Sequence, residues 1–173
     1  MTALPTSVAG PAIIVVTLLF TCGQSNAQEQ GRTYLCSSEI EAGLKYDQSA
    51  KEWRALKIEE KEKFILKVRF KRTEKKGSFG GKTEIYNLTI TPTGTNLAED
   101  CYAKTFGLRG NPREIEAHAD YRLLFCYTAF NQYTFNLKTN RFLSAFGLGY
   151  VNGDNNDASP AIAAGKCTEI KLV

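Results

Sequence analysis

A chain of 173 residues with 22 lysines and arginines against 18 acids carries a formal net charge of +4, and its five cysteines and single histidine restrict the chemistry it can hold. Zinc sites want close cysteine pairs or several histidines, whereas Cys36, Cys101, Cys126 and Cys167 stand far apart and His118 is alone. A catalytic thiol would need an unpaired cysteine beside a base, and an even set of four with one histidine does not offer it.

Residues 1–27 contain no Asp, Glu, Lys or Arg, and the apolar run from Ile13 to Phe20 ends before Ser25, Asn26 and Ala27. The run is too short to cross a bilayer, which takes about 20 apolar residues, and the small residues at Ser25 and Ala27 supply a secretory cleavage pattern. The reading is a cleaved signal peptide over 1–27, a mature chain from Gln28 and a secreted or periplasmic location, with no transmembrane segment in the mature chain. Lipid attachment at Cys22 is the minor alternative, because Thr21 is a poor residue for the position before a lipidated cysteine. The remaining 28–173, about 146 residues, suit one domain that buries roughly two thirds of its unfolded surface. Four cysteines in an exported chain read as two disulfides; of the three pairings, Cys36 with Cys167 and Cys101 with Cys126 are favoured, the first tying the ends and the second closing a central loop.

Period-two alternation then runs along the chain. Leu44 and Tyr46 lead through Asp47–Lys51 to Trp53 and Leu56, which reads as a hairpin, with a helix over Ser49–Lys63 as the competing assignment. Leu66, Val68 and Phe70 alternate with Lys67, Arg69 and Lys71, and Tyr86, Leu88 and Ile90 with Asn87, Thr89 and Thr91, across a glycine-rich tip: a second hairpin. Leu123–Phe130 is a longer apolar stretch expected to form a central strand buried on both faces. Tyr133, Phe135 and Leu137, the turn Lys138-Thr139-Asn140, and Phe142, Ser144, Phe146, Leu148 and Tyr150 make a third hairpin. With short runs at Cys36 and from Cys167 to Val173, the count reaches eight to ten strands, so the expected fold is an all-β single antiparallel barrel or sandwich. The first and last strands are the expected exposed edges, covered by the Cys36–Cys167 link.

Three motifs invite chemistry and fail on spacing. Gly77–Thr83 resembles a phosphate loop, but Lys76 occupies the place of its first glycine and a strand follows where a helix is required. Asn152–Asp157 is rich in oxygen ligands, yet neither calcium register places the required glycine and glutamate. His118 lies among Glu114, Glu116 and Asp120 with no nucleophile motif to serve. Asn87-Leu88-Thr89 matches a glycosylation acceptor, which matters only in a eukaryotic host. No arrangement commits the chain to a reaction, so it is read as a binding protein with no enzymatic activity and no cofactor.

The charge distribution is the most usable signal. Lys61–Lys82 holds nine basic residues against Glu62 and Glu74, a local +7 that leaves −3 for the rest. Lys67, Arg69, Lys71, Arg72, Lys75, Lys76 and Lys82 form the candidate surface for an anionic envelope component or acidic protein. The competing reading is that these lysines merely protect an edge hairpin from aggregation. Nucleic acid is not expected, since it is scarce outside the cytoplasm and no aromatic platform interleaves the patch. Two alternatives are a small apolar ligand held in a barrel by Trp53, Phe125, Tyr127, Phe135 and Phe142, and an inhibitor of secreted hydrolases. Basic lysozymes would repel such an inhibitor unless an acidic loop such as Asp154–Asp157 made the contact.

The succession Tyr34-Leu35-Cys36, Ala42-Gly43-Leu44-Lys45-Tyr46-Asp47, Lys51-Glu52-Trp53, Lys63-Phe64-Ile65-Leu66, Phe135–Phe142, Gly149-Tyr150 and Gly165-Lys166-Cys167 resembles small exported bacterial proteins of unknown function. The resemblance spans most of the mature chain and implies a secreted or periplasmic β domain; it carries over no activity, cofactor or site residue.

Overall fold

The computed structural model describes residues 31–59, 61–76, 81–103, 111–118, 120–154 and 158–171. The signal peptide reading, Cys22, the hairpin tip 77–80 and residues 155–157 of the oxygen-rich loop lie outside the described residues.

Alternation of apolar and polar side chains produces strands throughout. They are β1 (Gly31–Asp47), β2 (Glu52–Lys57), β3 (Lys63–Lys76), β4 (Gly81–Pro92), β5 (Glu99–Asp100), β6 (Ile115–His118), β7 (Leu123–Tyr127), β8 (Asn131–Asn136), β9 (Arg141–Phe146) and β10 (Ala161–Ile170), with a 3-10 turn at Tyr150–Asn152. The all-β antiparallel class is as expected, and the segment 49–63 forms a turn and β2 in place of the competing helix. That turn is made by Asp47, whose Oδ1 accepts the backbone N–H of Ser49 at 2.9 Å and of Ala50 at 3.0 Å. Asn136 does the same for the β8–β9 hairpin, taking the N–H groups of Lys138 and Thr139.

All ten strands join one sheet in the order β5-β4-β3-β1-β10-β9-β8-β7, with β2 also pairing β1 and β6 also pairing β4. Neither a closed barrel nor two separate sheets results, which corrects the two architectures left open by the sequence. The sheet curls until its ends approach. There the seam is latched by the Cys101–Cys126 disulfide and by one bridge, in which Tyr102 N–H donates to Tyr127 O at 2.8 Å and Tyr127 N–H to Tyr102 O at 3.0 Å. A bulge shifts the register between Ser38 and Ile40 in β1 and another between Phe70 and Arg72 in β3. Bulges bend and twist a strand, and both strands are long enough to need it.

The expectation that the first and last strands are edges is overturned. β1 and β10 pair with each other along ten residues in the middle of the sheet, and Cys36 and Cys167 face one another in register with Cα atoms 3.9 Å apart. Both anticipated disulfides are therefore present, but Cys36–Cys167 staples two central neighbours and covers no edge. Two disulfides are the mark of a chain that matures in an oxidising compartment. The edges lie at β5 and β7. β7 is accordingly not buried on both faces: Leu124 and Cys126 point into the core, while Phe125 is 46 % exposed.

The concave face holds the core, with Tyr34, Leu66, Val68, Leu88, Leu124 and Phe135 among its buried residues. Aromatic edges fill it, Tyr34 against Phe135 at 5.3 Å and Phe64 against Phe142 at 4.9 Å. Each end of this core is stoppered by a glutamate that accepts a tyrosine hydroxyl. Glu62 takes Tyr133 Oη at 3.2 Å and Ser144 Oγ at 2.6 Å, and Glu84 takes Tyr86 Oη at 2.6 Å while Arg122 approaches it at 3.4 Å. Burial, aided by the neighbouring carboxylate, raises the pKa of both tyrosines, so both hydroxyls stay protonated donors.

Of the aromatic residues considered as walls of an apolar ligand site, Phe135 and Phe142 pack inside the core and Phe125 points outward. Trp53 packs on the β1–β2 hairpin between Tyr46 and Tyr150, its indole N–H donating to Asp154 Oδ1 at 3.1 Å. These side chains do not share one space.

Candidate anion-binding face

Ile162 of β10, Leu143 of β9 and Phe125 of β7 present uncharged, exposed side chains across neighbouring strands. Lys67 and Arg69 of β3 present exposed cations, because Leu66, Val68 and Phe70 between them turn inward.

Lys67 and Arg69 pair in register with Thr89 and Asn87 of β4, and Thr89 pairs with Asp100 of β5. Between this floor and a wall formed by Asp100, Cys101 and Arg113 runs a cleft of about 220 Å³. Arg113 reaches it from the loop that leads into β6, where Asn111 shapes a turn by accepting the Arg113 N–H on Oδ1 at 3.1 Å and the Glu114 N–H on its carbonyl at 2.9 Å. Arg113 Nη1 lies 3.3 Å from Asp100 Oδ2. The wall is anchored rather than draped. Cys101 N–H donates to Leu88 O, Ala103 N–H donates to Pro112 O at 2.7 Å, and Cys101 is bonded to Cys126. Asn87 contributes to the cleft, yet its Oδ1 is sealed from solvent with no hydrogen-bond partner.

The remaining basic positions have different surroundings. Lys71 is the extra residue of the β3 bulge, which interrupts the alternation read from Lys67 and Arg69. Arg72 is largely neutralised: its guanidinium grips Glu114 with two bonds of 2.8 Å and Glu74 with a third of 2.8 Å. Lys75 and Lys82 are direct cross-strand partners, and Lys76 pairs with Gly81. Like charges placed opposite one another in a sheet repel, so an anion held between Lys75 and Lys82 would be stabilised there. His118 closes β6 opposite Thr83, and its side chain lies outside the described residues. Sequence reasoning missed Arg113 and set Glu114 beside His118 rather than against Arg72, because neither belongs to the basic hairpin. Only the pairing of β6 with β4 brings their loop to this edge, and no periodicity in the chain announces it.

Arg72 holds the Glu114 carboxyl below the ordinary glutamate value of 4.5, chiefly through the hydrogen bonds between them. The folded pKa is depressed, so the pair's stabilisation is present above that ordinary value and lost as pH falls through the folded one. Arg72→Ser is therefore expected to lower the melting temperature slightly at pH 7 and by less at pH 3, measured by circular dichroism. An equal effect at both values would mean that the pair carries no charge-dependent stabilisation.

No helix among the described residues is long and apolar enough to cross a membrane. Compared with family models, curated proteins and solved structures, the chain matches none.

Proposed function

We propose that this is an exported binding module, acting without catalysis, whose β3–β4 face contacts an anionic envelope component or an acidic partner. The observation that carries the reading is the convergence of Lys67, Arg69 and Arg113 on one anchored cleft. Three cations from two separate segments on a single concavity exceed what edge protection of a hairpin needs, since scattered lysines serve that purpose. A basic surface of this kind recruits anions over a Debye length of about 8 Å at physiological ionic strength and releases them as salt rises.

Retention of the disulfide-bonded protein on vesicles containing anionic lipid, or on immobilised lipopolysaccharide, tests the reading across a salt series. The expected result is binding at 0.1 M salt that is largely lost by about 0.5 M, and lost at low salt in the variant Lys67→Ser/Arg69→Ser/Lys75→Ser/Lys82→Ser. Retention unchanged by salt or by these substitutions overturns the electrostatic reading.

A further inference from the structure

We propose that the cleft between β3–β4 and Arg113 is a binding site for one phosphate monoester group; the inference rests on the anionic-partner reading above and names the chemistry that partner presents. The charged side chains that line the cleft, Lys67, Arg69 and Arg113 against Asp100, sum to +2. A phosphate monoester carries about −1.5 to −2 near neutral pH, and so matches that charge, whereas a carboxylate or a phosphodiester carries only −1.

The uncharged atoms agree. Asn87 and, beside it, Thr89 line the cleft with an amide and a hydroxyl. Lysine, two guanidinium groups, an amide and a hydroxyl give a ring dominated by donors, and a tetrahedral phosphate offers acceptors in every direction. A volume of about 220 Å³ is below the range of roughly 300–1,000 Å³ usual for drug-sized ligands, so the cleft suits one phosphate group and its first attached atoms rather than an enclosed molecule. The rest of the ligand would lie outside the cleft. Anchoring of Cys101 and Ala103 fixes the wall before the ligand arrives, which limits the ordering cost of binding.

The same phosphate monoester chemistry could sit on a lipid, on a sugar or alone. Two kinds of vesicle are compared at matched surface charge, phosphatidylcholine doped with phosphatidic acid, a monoester, or with phosphatidylglycerol, a diester. Glucose 1-phosphate and inorganic phosphate serve as soluble competitors. The expected result is at least about fivefold stronger binding to the monoester vesicles, with competition by both soluble phosphates if the group alone suffices, or by glucose 1-phosphate only if the attached sugar is read as well. Arg113→Gln is expected to cut monoester binding about tenfold and diester binding no more than about twofold. Thr89→Val, which leaves every charge in place, is expected to narrow the monoester preference at unchanged salt dependence. Equal binding to both vesicles, falling equally in each variant, overturns the phosphate site and leaves the anionic-surface reading standing. Binding to neither vesicle, with no soluble phosphate bound, overturns both.

Discussion

Gly165→Ala is expected to destabilise the domain by about 3 kcal/mol, at the upper end of what overpacking a core costs. A Cβ at this position would lie 2.1 Å from Ser37 O, 2.7 Å from Ser38 Cα and 2.7 Å from Phe142 Cε1. Two of these atoms are backbone of β1, so no rotamer change relieves them. Gly165 pairs with Ser38 on one side and Phe142 on the other, in the ladder that joins β1 to β10 and the strands beyond it. Relief therefore requires β1 and β10 to separate at their centre, next to the Cys36–Cys167 link. Gly31→Ala is the control: nothing lies within 4 Å of the added carbon, and an exposed substitution of this kind stays within about 0.5 kcal/mol. Urea denaturation of the three proteins at equal m-value checks the result. A Gly165→Ala midpoint indistinguishable from that of Gly31→Ala would mean that the β1–β10 contact is looser than its geometry states.

How much of this was legible in the chain depends on the range of the interaction that decides each feature. Hairpins were readable because their determinants are local. Asn136 sits three residues before its turn closes, and Leu66, Val68, Phe70, Tyr86, Leu88 and Ile90 declare by alternation which way β3 and β4 face. Sheet order was not readable, because β1 and β10 are joined by pairings more than a hundred residues apart in sequence, and no local signal selects a central position over an edge. The apolar stretch from Leu123 misled for a related reason. Phe125 and Phe130 are apolar but exposed, and composition alone does not distinguish an apolar outer face from a second buried one.

The candidate site was half legible by the same logic. Lys67 and Arg69 could be placed on one face from their spacing. The bulge at Lys71 then broke the period, and Glu114 arrived to neutralise Arg72, so the uniformly basic surface suggested by the sequence is in fact a basic cleft beside an ion-paired strip. Glu62 and Glu84 were equally hidden. Glu62 stands in a run of mixed charge with Glu59 and Glu60, and only the curl of the sheet sets it against Tyr133; Glu84 meets Tyr86 two residues along its own strand, which alternation alone does not mark as a hydrogen bond.

The two disulfides should differ in what their removal does, although each joins buried cysteines. Cys36–Cys167 closes a separation of 131 residues and Cys101–Cys126 one of 25. Chain entropy alone makes the longer link worth about 5 kcal/mol and the shorter about 3.5, a difference of about 1.5 kcal/mol. The surroundings sharpen the contrast. Cys36 and Cys167 lie inside a continuous ladder whose hydrogen bonds persist without the link, so Cys36→Ala/Cys167→Ala is expected to lower global stability while leaving the native structure in place. Cys101–Cys126 spans the seam, where among the described residues the backbone tie is the bridge between Tyr102 and Tyr127. Cys101→Ala/Cys126→Ala is therefore expected to cost less globally and to open the seam locally, with faster amide exchange at Tyr102, Ala103 and Tyr127 and slow exchange retained in β1 and β10. The cleft wall contains Cys101, so the same variant should also bind anionic vesicles more weakly, whereas the Cys36/Cys167 variant should bind them as the parent protein does while it remains folded. Hydrogen exchange read by mass spectrometry, alongside urea titration, checks both halves. Uniform loss of protection in the Cys101/Cys126 variant, or the larger global loss there, would show that the seam is part of the cooperative core and not a latch upon it.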